Sequence, residues 1–496
     1  MKKWTLIFGL LTPVLAISQP KIPKYEIFEI KMKAAVQGNP FLDVDLQALF
    51  FQNNGKDTIR IRGFYDGDNT FVLRFMPLKE GVWQYHTSSN IKTLNGRKGS
   101  LVCIPPLPNR HGPVYVCDTF HFCHADGTPF YPVGTTCYQW VFQGNPEQTL
   151  KTLVTSPFNK IRMCVFPKVY GEYISNEPSL YPFEGSREKG FDFSRPNPAY
   201  FRFFERYIDS LKRLGIEADV IVFHPYDNGR WGISQMPAQA RIHYLKYLVA
   251  RLSSFPNVWW SLANEFEFLG FTRDEWEEIF LTLVREDPYH HLRSIHNAIL
   301  WYDVSKPYIT HLSVQGTDFF HIQQWRFAYH KPVIIDEFVY EGDLPNDWGN
   351  LPPEEVVHRC WTIYTRGGYF THGETYDNPE KVLWWSKGGK LYGQSPRRIA
   401  FLKTLMEEAP RGIIPHYSGF NKETYLKKEG EYYLFYYGIT QQKEAILYLP
   451  ENVSFVIEVI DAWNMTREQL PGTYSGTASV PLPGRSYMAV RAKKKE

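Results

Sequence analysis

Two glutamates close apolar runs of the kind that form buried strands. Glu265 ends Val258-Trp259-Trp260-Ser261-Leu262-Ala263-Asn264-Glu265, and Glu337 ends Pro332-Val333-Ile334-Ile335-Asp336-Glu337. Two carboxyl groups brought to one cleft permit a division of labour. The one with apolar or anionic neighbours keeps its proton and serves as an acid, while the one beside a cation stays ionised and serves as a base or nucleophile. Arg162, in Asn159-Lys160-Ile161-Arg162-Met163, is a cation suited to the second role, and Asn264 directly precedes the first glutamate. The plainer alternative for either acid is a rim carboxylate in a salt bridge. A lone strand-end glutamate favours that alternative.

Other polar side chains end strand-like runs: His224, His296 with Asn297, Gln315 and Glu374, with Tyr226 just past His224. They are candidate hydroxyl-binding groups, the alternative for the histidines being hydrogen bonds that order the core. Trp140, Trp231 and Trp384 are candidate platforms for the apolar face of a ligand, with wall packing as the alternative. Asp336 is expected to point away from Glu337, because adjacent strand residues alternate faces. Glu267 is a weaker candidate for the acid, Glu341 reads as structural, and Glu374 stands between ligand binding and a salt bridge. No CxxC, HExxH or His-rich spacing suggests a metal, and no Gly-rich phosphate loop follows a strand, so no metal and no cofactor are expected.

The elements that must position these residues lie between about Phe130 and Met406. Strand candidates are Val133 to Trp140, Phe158 to Phe166, Ile216 to Tyr226, Val258 to Glu265, Leu292 to Asn297, Tyr308 to Gln315, Val333 to Glu337 and Gly368 to Glu374. Helix candidates between and after them include Pro146 to Thr155, Asn197 to Leu214, Gln239 to Ser253, Arg273 to Arg285, Pro353 to Arg366 and Pro396 to Met406. Eight strands, each with a crossover, match an α/β fold of the (β/α)8 TIM barrel type, whose site lies at the C-terminal strand ends. An open doubly wound sheet is the alternative. Before and after this region, short alternating strands with turn punctuation predict an N-terminal β-sandwich of immunoglobulin size and a small C-terminal β-sandwich.

The Asn-Glu at the end of the fourth strand and the Glu at the end of the seventh resemble clan A, the "4/7" superfamily of retaining glycoside hydrolases. The resemblance implies Glu265 as acid/base, Asn264 as a binder of the sugar 2-hydroxyl, Glu337 as nucleophile and Arg162 as its support. The clan's usual Trp after strand eight is represented by Trp384 or Trp385. Gly63-Phe64-Tyr65-Asp66-Gly67, Gly134-Thr135-Thr136-Cys137-Tyr138, Phe223-His224-Pro225-Tyr226, Trp259 to Glu265 and His372-Gly373-Glu374-Thr375 are similar to segments of exported bacterial barrel proteins with an N-terminal immunoglobulin-like domain. A retaining enzyme sets its two carboxyl groups about 5 to 5.5 Å apart, and strands four and seven face each other across a barrel mouth. The implied activity is hydrolysis of an O-glycosidic bond in a poly- or oligosaccharide. A non-catalytic carbohydrate-binding barrel and a retaining transglycosylase are the alternatives.

The remaining composition fits this expectation. The 496 residues are 43% hydrophobic and carry a net charge of +3, with 35 Phe, 32 Tyr and 14 Trp. Near-neutral charge without a basic stripe argues against nucleic acid as partner. Lys2-Lys3, an apolar run from Trp4 to Ala16 and the small residues Ala16 and Ser18 read as a secretory signal peptide, residues 1–18, so export to the periplasm or beyond is expected and no membrane span. The expected division is then 19–108 sandwich, 109–408 barrel and 409–496 sandwich, with oligomeric state left open. Of six cysteines, Cys117 and Cys123 are the plausible disulfide, while Cys137 and Cys164 sit in apolar runs as buried thiols.

Overall fold

Eight parallel strands form the centre of the molecule. The computed structural model describes residues 19–417 and 424–495, so the expected signal peptide lies outside the described residues. The strands are, in order, Val133–Thr136, Lys160–Cys164, Glu217–Phe223, Val258–Ala263, Arg293–Ser294, Leu312–Gln315, Val333–Glu337 and Tyr369–His372. Their spatial order is fifth, fourth, third, second, first, eighth, seventh, sixth. A parallel bridge from His296 to Ser313 joins the two ends of that order and rounds the sheet into a barrel. The open-sheet alternative is thereby excluded. Strands such as Glu217–Phe223 are buried at every position, as expected where one face meets the barrel interior and the other a helix.

Local sequence sets the helix starts. Asn145 and Asn197 accept hydrogen bonds from the first-turn amides of Pro146–Val154 and Pro198–Leu214, each with Pro at the first position. Thr272 and Glu275 form a reciprocal capping box ahead of Arg273–Glu286. Ala238–Leu252, Ile322–Tyr329, Pro353–Thr365 and Ser395–Glu407 complete the ring. The fifth strand reaches the sixth through residues 295–311 without a helix, and Ile322–Tyr329 was not among the expected helices.

The lower half of the barrel is polar. Lys160 donates to Asp219 and Asp336, each at 2.8 Å, and all three are essentially inaccessible. Asp336 also accepts from Ser313 and Thr371 at 2.6 Å. A buried cation shared by two carboxylates, with hydroxyls on the remaining lone pairs, is the arrangement in which such charges are tolerated. Below it, the sheet Val114–Cys117, His121–His124, Pro129–Phe130 closes the barrel floor, with Phe122 5.3 Å from Trp259 ring to ring. Cys117 and Cys123 form a disulfide in this sheet, while Cys103, Cys137, Cys164 and Cys360 are buried thiols.

The N-terminal unit packs a five-stranded sheet on a three-stranded one, with Phe50 stacked on Phe75 at 3.9 Å between them. Leu46–Gln52 alternates buried and half-buried residues along its length, the mark of a strand with one face in a core. This unit is bolted to the barrel by buried charge: Glu205 receives Arg251 Nε at 2.5 Å and Arg74 at 2.9 Å, and Arg251 reaches Asp66 at 2.9 Å. At the other end, a six-stranded sheet and a two-stranded one enclose Tyr433, Leu447, Phe455, Val480 and Val490. Arg398 of the last barrel helix lies over Trp463 at 3.4 Å and ties this unit down.

Candidate active site

Glu337 stands at a backbone irregularity. Val314 pairs with Ile335 but Gln315 pairs with Glu337, so Asp336 is an extra residue in the seventh strand. Such a bulge re-aims side chains. The expectation that Asp336 points away from Glu337 is therefore corrected: both face inward, and the Arg162 guanidinium meets Glu337 Oε1 at 3.3 Å and Asp336 at 4.0 Å. Tyr138 donates to the same Oε1, and His296 Nε2 is 3.4 Å from it. Burial would raise the carboxyl, but His296, Arg162 and Tyr138 together hold it down at about 2.

Glu265 follows the fourth strand with φ 48 and ψ 59, a left-handed conformation rarely taken by a residue with a side chain and often found at functional sites. Its carboxyl is pushed up to about 7, first by burial and then by the negative charge of Glu337, with Lys168 and Gln315 opposing. Asn264 Oδ1 accepts Arg162 Nη2 at 2.9 Å. That bond fixes the amide and leaves its NH2 to donate elsewhere. His296 is further held by Ser313 at 2.9 Å and Gln315 at 3.3 Å, and Asn297 accepts the Gln315 amide at 3.2 Å. Glu265, Glu337, Asn264, Arg162, His296, Asn297 and Gln315 thus come together.

Around them lies an aromatic bowl that sequence reasoning largely missed. Trp385 has ring neighbours in Trp348 at 4.9 Å, Tyr170 at 5.6 Å, Tyr138 at 5.8 Å and Tyr340 at 6.2 Å. Val339, β-branched yet at φ 72, turns the chain between Glu337 and Tyr340. Lys168 lies within the bowl, 4.1 Å from the ring centres of Tyr138 and Tyr226.

Several expected ligand groups are placed elsewhere. Trp140 is fully buried against Tyr207, and Trp384 is buried with its Nε1 donating to Thr135 at 2.7 Å. Neither offers a face to a ligand; Trp385, the other tryptophan named for the clan position, lies in the bowl and is itself buried. Trp231 is 3% exposed with its Nε1 on Glu177 at 3.0 Å, so it too is wall. Both His224 nitrogens are occupied by backbone, Nε2 by the Phe166 carbonyl and Nδ1 by the Tyr226 amide. Burial depresses this imidazole to about 4, and it orders the rim while Tyr226 remains half-buried beside Tyr170 at 5.8 Å. Glu267 accepts three consecutive amides, Ala298 to Leu300, and is a loop clamp.

Glu374 does not reach the mouth either. It is 1% exposed, accepts the amides of Tyr392 and Gly393, and is pushed up by burial to about 8. Glu341 accepts the amides of Gln394 and Ser395 beside it. The two carboxyls fasten the loop that carries Trp385. With His372 they are the group whose donor atoms, within 4.8 Å of one another, have spacing for a metal ion among the described residues. Their oxygens are already engaged by the loop, as in a clamp.

A (β/α)8 barrel carrying glutamates at the ends of strands four and seven, with Asn264 and Arg162 between them, defines a clan A glycoside hydrolase-like protein. Residues 118–410 match the apiosidase-like catalytic domain, and the chain belongs to that family. Residues 21–90 and 422–493 match two domains of unknown function, DUF5060 and DUF5605. Among solved structures, a candidate glycoside hydrolase from Bacteroides vulgatus ATCC 8482 is 39% identical, with TM-score 0.91 over 96% of this chain and 100% of that one. A family 5 glycoside hydrolase from the same organism is 16% identical, with TM-score 0.59 over 78% of this chain and 94% of that one, a likeness of fold alone. No curated protein matches the chain.

Proposed function

We propose that the protein hydrolyses an O-glycosidic bond of a poly- or oligosaccharide with retention of configuration, Glu337 acting as nucleophile and Glu265 as acid, then base. The observation that carries this reading is the unlike surroundings of the two carboxyls: Glu337 is met by Arg162, Tyr138 and His296, which favour its ionised form, while Glu265 is buried near that negative charge with no ion pair among the described residues, which favours its proton. Glu265 gives its proton to the leaving oxygen as Glu337 attacks the anomeric carbon and forms a glycosyl ester. Glu265, now a carboxylate, takes a proton from water as that water attacks the same carbon, and Glu337 leaves as a carboxylate. The free NH2 of Asn264 suits a donor to the sugar 2-hydroxyl. No cofactor enters these steps.

The same reading includes export, which the leader at 1–18 and the Cys117–Cys123 disulfide support, and the division at residues 108 and 408, with the flanking β units as accessories. Apiosides are the first substrates to try, since the family description names them. The test is turnover of an aryl glycoside panel, apiosides included, by the wild type and Glu337→Gln. Loss of turnover in the variant is expected; full activity would remove the nucleophile assignment.

A further inference from the structure

Lys168 is the charged side chain of the bowl to which these steps give no role. It lies in the loop after the second strand and is 3% exposed. Gln143 pins its backbone from both sides, accepting its N–H at 2.9 Å and donating to its carbonyl at 2.9 Å. Four rings surround its Nζ: Tyr138 and Tyr226 at 4.1 Å, Trp385 at 5.1 Å and Tyr170 at 5.3 Å. Ring faces attract a cation but supply no lone pair, and an ammonium has three N–H bonds to satisfy. Among the described residues none accepts a hydrogen bond from its Nζ or lies within ion-pair distance of it, and the charges of Glu265 and Glu337 act on it only from farther off.

A purely structural role is a poor account of this. A buried ammonium without an acceptor destabilises a fold that a methionine of similar reach would fill at no such cost. The rings around it are those of the site, since Tyr138 is bonded to Glu337. Tyr340 is buried in the same bowl, its hydroxyl turned to Tyr138 and Glu337 and its ring 6.2 Å from Trp385. A buried ammonium left without an acceptor beside the reactive carboxyls is complementary to an oxygen that arrives with a ligand.

We infer that Lys168 determines substrate specificity by donating hydrogen bonds to an oxygen of the sugar bound between Glu265 and Glu337. The inference rests on reading this cleft as a glycoside site. The oxygen belongs to a hydroxyl of a neutral sugar or to the carboxylate of a uronic acid, and both present the same acceptor chemistry to the ammonium.

The probes are 4-nitrophenyl glycosides of neutral sugars and of uronic acids, bound to the full-length chain carrying Glu337→Gln and followed by tryptophan fluorescence. Adding Lys168→Met should weaken the best-bound probe at least tenfold while leaving the melting temperature unchanged or higher, and Lys168→Arg should lose less. A selective loss for uronides assigns the carboxylate, and an equal loss for both sets assigns a hydroxyl. Binding within twofold of the parent, weaker binding accompanied by a lower melting temperature, or no probe bound by the parent would overturn the inference. Turnover by the wild type is measured alongside. Lys168-dependent binding without turnover removes the hydrolytic reading and keeps this one, whereas turnover with Lys168-independent binding does the reverse.

Discussion

Arg162 binds Glu337 and Asn264 with separate nitrogens of one guanidinium, Nη1 at 3.3 Å from the carboxylate and Nη2 at 2.9 Å from the amide oxygen. A rigid planar group thereby fixes the distance between a nucleophile and a hydroxyl-binding group on different strands. Lysine keeps the charge but not this fork. Arg162→Lys should lower kcat/KM about 10²- to 10³-fold, the scale of losing one preorganised electrostatic contact. It should also move the acidic limb of the pH–rate profile upward from about 2. An unshifted limb would mean that Arg162 does not set the ionisation of Glu337.

Glu265 governs the opposite limb. Its carboxyl is raised to about 7, so the acid form required for leaving-group protonation is lost as pH climbs through that value. Activity should fall above about pH 7 with a slope of one proton. Glu265→Gln should lose about 10²- to 10⁴-fold on glycosides with poor leaving groups, the usual contribution of a general acid. It should lose far less in the first step on 4-nitrophenyl glycosides, whose leaving group departs without a proton. Pre-steady-state release of nitrophenol checks this.

Much of the barrel was legible in the sequence because short apolar runs alternate with longer amphipathic segments, and because caps such as Asn197 and Thr272 stand where helices begin. The two glutamates were legible for the same reason, as acids at the ends of apolar strands. What failed was detail set by three dimensions. Val133 to Trp140 is buried throughout, so no periodicity tells that Tyr138, not Trp140, faces the site. Strict alternation misplaced Asp336 because a one-residue bulge leaves no mark in the pattern. Lys168 draws Tyr138, Tyr226 and Trp385 from three other stretches of chain, which spacing along one segment does not encode.

The joint between the N-terminal unit and the barrel depends on Glu205, which neutralises both Arg74 and Arg251. Glu205→Ala would leave two guanidinium groups buried without their shared partner. Stability should fall by about 3 to 5 kcal/mol, the range found when one member of a buried ion network is deleted. Denaturant unfolding measures this; a change under about 1 kcal/mol would show that the joint does not rely on the network.

Glu217 is a buried carboxyl to which, among the described residues, only Trp259 Nε1 donates, at 2.8 Å, and burial pushes it to about 8 from its ordinary 4.5. Between those values the folded chain keeps a proton that the unfolded chain gives up, so stability present below pH 4.5 is lost as pH rises toward 8. Glu374, also raised to about 8, adds to the same trend. Glu217→Gln accepts from Trp259 without titrating. It should be more stable than the wild type at pH 8 by on the order of 4 kcal/mol and little different at pH 4.5. Melting curves at the two pH values decide the matter.

The central claim is that Glu337 forms a glycosyl ester which Glu265 then helps water to open. Its most direct test is the configuration of the first-formed sugar, read by proton NMR within the first minutes of hydrolysis of an aryl glycoside, before mutarotation. Two displacements at one carbon predict the same anomeric configuration as the substrate. The inverted anomer as first product would contradict the account.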